Sequence, residues 1–223
     1  MSDTAPPEAL PAVPPSRKQP RGARRQQLIE ATIETLAEVG YARTTLTAVA
    51  TRAGLSHGLV NFHFQTKEKL LTETMLYLAE EYRANWSTAL ETAGPGAAVR
   101  LNALLQADFN PAIFTPARLS AWCSFWGEAQ SRPLYQHACG SNDEAYNRTM
   151  EQVCAALIAE GGYAGNAARI GRVLRVTTEG VWLDLMTMVN PYERDEALAT
   201  LMTSAAAFFP RHFTDRGRIV QKT

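Results

Sequence analysis

Two stretches of this chain hold residues that could do chemistry. The first, AGLSHGLVNFHF at 53–64, contains two of the four histidines, two glycines four apart, and two phenylalanines separated by one residue. The second gathers rings and acids: Trp122, Phe125 and Trp126 at i, i+3, i+4, Tyr135 just after Pro133, then Glu179, Trp182 and Asp184. Imidazoles invite a metal or a general base. His57 and His63, however, are six residues apart and fall on different helix faces, with no acid, cysteine or nucleophile converging on them. His137, Glu179 and Asp184 are scattered, so neither a catalytic set nor a metal or cofactor is expected, and the chain reads as a non-enzyme. Asn61 offers different chemistry, since its amide can pair bidentately with adenine for about 1–3 kcal/mol of discrimination. Rings beside a carboxylate suit a cationic ligand. The same aromatic stripe would also suit the bulky face of a packed helix.

The elements that must position these residues are helical almost throughout. Ile29, Ile33 and Leu36 recur at i, i+4, i+7 with Glu30, Glu34 and Glu38 on the other side, and Gly40 stops this helix. Leu46, Val49, Ala50 and Ala53 give a second, short helix, with Thr45 as N-cap and Gly54 as its end. A third begins at Ser56. A fourth begins at Thr66, with Glu68 in its first turn, and runs to about residue 90. Helices are then expected at 97–108, 116–131, 134–160, 167–189 and 193–208, with no strand chemistry between them. The fold class is all-α.

Ala50, Gly54 and Val60 stand at relative positions 1, 5 and 11. They supply a small residue at a helix crossing, a glycine in the turn and an apolar anchor, which is the spacing of a helix-turn-helix over 45–64. The expected organisation is a disordered, basic-ended tail at 1–20 and a helix-turn-helix domain at 21–81. An α-helical ligand-binding and dimerisation domain follows at 82–210, with a flexible tail at 211–223. Residues 1–15 contain five prolines and too little apolar surface to offset the cost of ordering.

Charge agrees with this division. The totals balance at 22 basic and 22 acidic residues, yet 16–70 holds nine basic against four acidic, and the remainder is net acidic. A basic first portion suggests a polyanionic partner. Three cysteines without CxxC spacing, no charged-then-apolar leader and no apolar run near 20 residues point to a reduced, cytoplasmic chain with no membrane association.

The segment RRQQLIEATIETLAEVGYARTTLTAVATRAGLSHGLVNFHFQTKEKLL resembles the N-terminal domain of TetR-type transcriptional repressors over about 50 consecutive residues. The likeness rests on Gly40 followed by an aromatic, Thr45-Leu46, Ala53-Gly54-Leu55-Ser56, Gly58, His63-Phe64 and Lys67-Glu68-x-Leu70. Asn61 departs from the family's usual tyrosine. The resemblance implies a DNA-binding set of Arg25, Thr45, Ser56, His57, Gly58, Asn61, His63 and Lys67, with Thr45, His63 and Lys67 on phosphates and Phe64 in the core. AWCSFWGEAQSRPLYQ and EGVWL are similar to stretches of choline-responsive repressors of the BetI type, with Glu179 in place of an aspartate. This implies a ligand set of Trp122, Phe125, Trp126, Tyr135, Glu179, Trp182 and Asp184, and a small-molecule inducer that is choline or another quaternary ammonium compound. An aromatic or amphipathic ligand, or no small-molecule sensor at all, stays open. The expected partners are a double-stranded, palindromic DNA operator and a second copy of the chain. The homodimer is expected to pair the last two long helices through Ile170, Leu174, Thr177 and Val181, and through Leu198, Leu201, Met202 and Ala205.

Overall fold

The computed structural model describes residues 21–128 and 132–219, so the tail expected at 1–20 lies outside the described residues. The chain runs α1 (Arg21–Arg43), α2 (Leu46–Ala53), α3 (His57–Phe64), α4 (Lys67–Thr92), α5 (Ala97–Ala107), α6 (Pro116–Gly127), α7 (Arg132–Gly161), α8 (Ala167–Thr187) and α9 (Arg194–Phe208). Side-chain caps set most of the starts. Thr45, Ser56, Thr66, Thr115 and Asn166 each accept a hydrogen bond from the backbone N–H three residues on. Gly40, at φ 76°, breaks the helical path inside α1, and Gly54, at φ 63°, lets the chain turn from α2 into α3. Gln65 makes the equally tight corner before α4 at φ 64° without being a glycine.

Helices α1 to α3 close on Leu28, Ile29, Ile33, Val49, Val60 and Phe64, all buried. Leu70, Leu71 and Met75 carry that core onto the first turns of α4, which then continues into the second half of the molecule. There α4, α5, α7 and α8 pack around Leu101, Leu104, Phe109, Tyr146 and Leu174. α6 lies along α1, joining the two halves a second time.

Two expectations change. The segment expected as a flexible tail from residue 211 forms an antiparallel hairpin through residue 219, with β1 (Phe213–Thr214) paired to β2 (Gly217–Arg218). Phe213 is buried against α9, the Ile219 N–H donates to the His212 carbonyl at 2.8 Å, and Gly217 takes φ 115°. An aromatic anchor followed by a turn glycine holds this end down; residues 220–223 lie outside the described residues. The residues expected to pair two copies are the second change. Ile170, Leu174, Val181, Leu201, Met202 and Ala205 are buried within the single chain. The exposed apolar stripe on α8 is instead Val173, Val176 and Leu183 with Gly180 between them, a 3-4-3 spacing of seam positions.

Candidate functional site

The first candidate surface is the exposed side of α2 and α3. Ser56, His57, Gly58 and Asn61 stand at its front, all exposed. The caps that start these helices leave the Thr45 and Ser56 hydroxyl protons unused, because each oxygen accepts from the backbone at 3.1 and 3.2 Å. A Cβ at Gly58 would meet nothing closer than Ser56 Oγ at 4.0 Å, so this glycine leaves the backbone open to approach from outside. The Thr47 hydroxyl lies 3.4 Å from His57 Nδ1. His63 is half-buried between Phe62 and Phe64, with ring centroids 5.3 and 6.0 Å away. Burial first, then Arg21 and Arg25, push its pKa below the ordinary histidine value, which favours the neutral ring.

Two members of the expected set are tied within the chain. The Lys67 ammonium donates to the Tyr41 and Ala42 carbonyls at 2.9 and 3.0 Å and stands over the Tyr41 ring. It closes the C-terminal turn of α1, where a helix leaves carbonyls unsatisfied, and keeps one donor for anything outside. Arg25 pairs with Glu73 and reaches over the Phe64 ring, stitching α1 to α4. Both have cationic groups close to the expected surface, but their first partners are internal. Phe64 is fully buried as expected, whereas Phe62 is 61% exposed, with the Arg21 guanidinium 5.1 Å from its ring centre. Neither Phe62 nor Arg21 was in the expected set. Two residues along a helix turn the side chain by about 200°, which puts Phe62 outside when Phe64 faces in.

The second candidate site is a cavity of about 50 Å³ between α4, α6, α7 and α8. Its walls are largely rings. Trp122 stacks on Trp126 at 6.0 Å, Trp126 lies 6° from parallel to Trp182 at 6.4 Å, and Tyr135 meets Trp122 edge-on at 6.3 Å. Tyr82 stands edge-on to Trp182 at 6.1 Å and beside Tyr146 at 5.7 Å. The charged lining is Asp143, Glu179 and Arg175. Glu179 pairs with Arg175 one turn earlier, and Tyr135 donates to Asp143 at 3.1 Å. Burial raises the pKa of both carboxyls, against Arg175, which lowers each, and against the Tyr135 hydroxyl at Asp143. The lining thus sets two carboxyl groups against a single arginine. The indole N–H of Trp182 and the Nε of Arg175 are buried without a protein acceptor among the described residues.

Five of the seven expected ligand residues meet here: Trp122, Trp126, Tyr135, Glu179 and Trp182. Phe125 does not line the cavity; it is fully buried and packs edge-on against Tyr41 of α1 at 6.1 Å, so it belongs to the seam between the two halves. Asp184 is exposed and accepts from Tyr192 at 3.1 Å. Five positions beyond Glu179 is about 140° around a helix, which turns it away from the cavity. Thr178 and Arg175 share the inward face with Glu179 and could have been read from that spacing. Tyr82, Asp143 and Tyr146 arrive from α4 and α7, a convergence that only tertiary packing reveals. Among the described residues no group of three histidine, cysteine or acidic side chains comes together as a metal site, and no helix is long and apolar enough to cross a membrane.

Residues 28–74 match the family model described as bacterial regulatory proteins of the tetR family, and residues 97–210 match the one described as BetI-type transcriptional repressor, C-terminal. The chain belongs to the BetI-type repressors of the TetR family. It is 30% identical over 179 residues to the HTH-type transcriptional regulator BetI of Yersinia pestis (strain Pestoides F), spanning 78% of this chain and 87% of that one. A crystal structure from Pseudomonas aeruginosa PAO1 superposes with a TM-score of 0.72 at 25% identity, covering 86% of this chain and 93% of the other. Another, from Saccharomonospora viridis in complex with choline, gives 0.72 at 17% identity, covering 86% and 98%; it shares the fold. BetI-type proteins are transcriptional regulators, and this chain is not an enzyme.

Proposed function

We propose that this BetI-type repressor binds a two-fold DNA operator as a homodimer and leaves it when a small quaternary ammonium compound, choline or a close relative, enters the aromatic cavity. The observation that carries the ligand half is the cavity itself: three indoles and three phenols, with two carboxyl groups against one arginine. A quaternary ammonium over such rings gains about 0.5–2 kcal/mol per good contact and needs no hydrogen bond. Choline also has one hydroxyl, a partner for the buried donors on Trp182 and Arg175. The cavity is small and ringed by aromatic side chains, which suits a compact cation such as choline. The choline complex of the Saccharomonospora viridis protein, which has the same fold, supports this choice.

For the DNA half, the exposed front of α3 offers Asn61 for base edges, and Thr45, Ser56, His57, Gly58 and His63 for phosphates and nearby edges. Arg25 and Lys67 contribute mainly charge and position, since both are held by internal partners. Two copies meeting along the Val173–Val176–Gly180–Leu183 stripe would set two recognition helices ~34–36 Å apart for a palindromic site.

The cavity connects to α3 by two routes. α4 lends Tyr82 to the cavity and begins two residues after α3 ends. α6 lends Trp122 and Trp126, and its Arg118 grips the DNA-binding half: it donates twice to Glu81 at 2.7 and 2.8 Å and reaches Glu30 of α1 at 3.3 Å. A ligand that prefers the altered placement of α4 and α6 by several kcal/mol would empty the operator. The test is an electrophoretic shift of the DNA upstream of the chain's own gene, with and without choline. Retarded DNA that choline releases, in the parent but not in Trp126→Ala, is the expected result. Binding that choline leaves untouched, with no choline heat in calorimetry, would discard the ligand and leave a repressor without a small-molecule sensor.

A further inference from the structure

The hydroxyls that line the cavity are not free to orient. Tyr82 of α4 and Tyr146 of α7 donate to the carboxylate of Asp108, just past the end of α5, at 2.8 and 3.1 Å, and Thr178 of α8 shares its proton between Asp108 at 3.2 Å and the Leu174 carbonyl at 3.3 Å. Each hydroxyl has one proton, so once it is given to Asp108 the oxygen has only lone pairs to offer to the cavity. Three walls of the cavity thus present acceptors because of one carboxylate behind them. Asp108 is 1% exposed. Its three partners are neutral, and the charged group that acts on it, Glu179 of α8, has the same sign. The arginines nearby are engaged elsewhere: Arg175 with Glu179, and Arg194 at the start of α9 with the Phe109 carbonyl. A buried carboxylate with hydrogen bonds but no counter-cation is costly to ionise. Burial accordingly raises its pKa from 3.8 to about 7, against the three hydroxyls that lower it.

We propose that Asp108 is the buried counter-charge of the cationic ligand, acting on it through the hydroxyls of Tyr82, Tyr146 and Thr178, so that cation binding and Asp108 ionisation are linked. This rests on the reading of the cavity as a quaternary ammonium site. A positive charge beside the hydroxyls favours the ionised carboxylate. Near neutral pH a share of the empty protein holds a proton on Asp108, and that proton passes to solvent as the cation enters. Affinity therefore rises with pH up to about 7 and then levels. Tyr82 and Tyr146, also facing Asp108, stay protonated, because burial and Asp108 raise both well above the usual tyrosine value. Glu179 and Asp143 line the same cavity with raised values of their own, so a variant must isolate the share of Asp108. Asp108 is a positioning residue: it sets the hydroxyls that the ligand meets, and one of those belongs to the helix that leads to α3.

Calorimetry of the full chain with choline, run in two buffers of different ionisation heat, counts the protons exchanged. The expected result near pH 7 is release of roughly half a proton per choline, with affinity rising up to ~10-fold between about pH 6 and pH 8. Asp108→Asn, close in shape, should bind choline more weakly and lose the proton release and the pH dependence centred near 7. If the variant does not fold by circular dichroism, carbon-detected NMR of the Asp108 carboxyl in the parent replaces it, and the carboxyl should titrate at lower pH with choline than without. Choline binding without proton exchange, full release retained in Asp108→Asn, or a carboxyl titration that choline leaves unmoved would overturn the role of Asp108 while the cavity reading stands. No choline binding anywhere in that pH range would remove both.

Discussion

Asn61 and Lys67 lie six residues apart, and the structure gives them opposite characters. Asn61 is exposed, so its amide is available to a base edge. We expect Asn61→Ala to lower the preference for the operator by about 1–3 kcal/mol, leaving non-specific binding nearly unchanged, as a shift assay against unrelated DNA would reveal. Lys67 holds the end of α1 through two carbonyls. Lys67→Met should first cost stability, roughly 1–3 kcal/mol for hydrogen bonds from a charged donor, read as a lower melting midpoint in the absence of DNA. Asp108 adds a pH dependence to that stability. Because folding raises its pKa, the protonated acid's contribution is fully present below the ordinary value of 3.8 and is lost as pH rises to about 7. The parent's melting temperature should therefore fall more steeply than that of Asp108→Asn over this interval. Of the cavity's rings, Trp122 and Trp126 were legible from i, i+4 spacing and Tyr135 and Trp182 from the motifs around them, while Tyr82 and Tyr146 were not. Phe125 and Asp184 were misplaced because spacing fixes a face, not what that face meets. Asp108 was invisible: nothing in LLQADFN says that three hydroxyls from three other helices will close on its carboxylate.

Among the elements, α6 has two jobs on its two ends. Its C-terminal half carries Trp122 and Trp126 into the cavity, while Arg118 near its start joins α1 and α4 through Glu30 and Glu81, with the single Tyr77 hydroxyl proton shared between the two acids at 3.1 and 3.2 Å. The guanidinium is largely buried, and its bidentate bond to Glu81 is the kind that keeps geometry as well as charge. We expect Arg118→Met to leave choline affinity within a few-fold of the parent but to weaken choline's effect on DNA binding, because the cavity and α1 would no longer move together. A choline titration of both the protein alone and the DNA complex separates the two quantities, and equal loss in both would reject a coupling role. The starts of α2, α3 and α4 were legible, since threonine and serine caps are local chemistry, whereas α6, expected over 116–131, already ends at Gly127. The clamp was not, because Glu30 and Arg118 are 88 positions apart and meet only when α6 lies along α1.

At the scale of the whole molecule, the two halves are joined by α4 and by the α1–α6 seam, while the far side of α8 is left apolar and exposed. Leu183→Glu would place charge at the C-terminal end of that stripe. The expected outcome is a shift to monomer in sedimentation velocity at concentrations where the parent sediments as a dimer, and with it loss of operator binding, since a single half-site has too few contacts. A parent that is monomeric alone and on DNA would contradict the two-fold scheme. The all-α architecture was legible from periodicity. The side of α8 that faces outward was not, because both of its faces are apolar, and only the packing of α7 and α9 decides which one is used up. One further property follows from where the bulky rings are placed. The chain has four tryptophans, and all of them (Trp86, Trp122, Trp126 and Trp182) sit in the second half, three lining the cavity and Trp86 edge-on to Tyr146 beside it. The protein's intrinsic ultraviolet emission is therefore a reporter of the cavity, blind to the DNA-facing helices, and ligand occupancy can be followed optically on the unlabelled repressor, with or without an operator present.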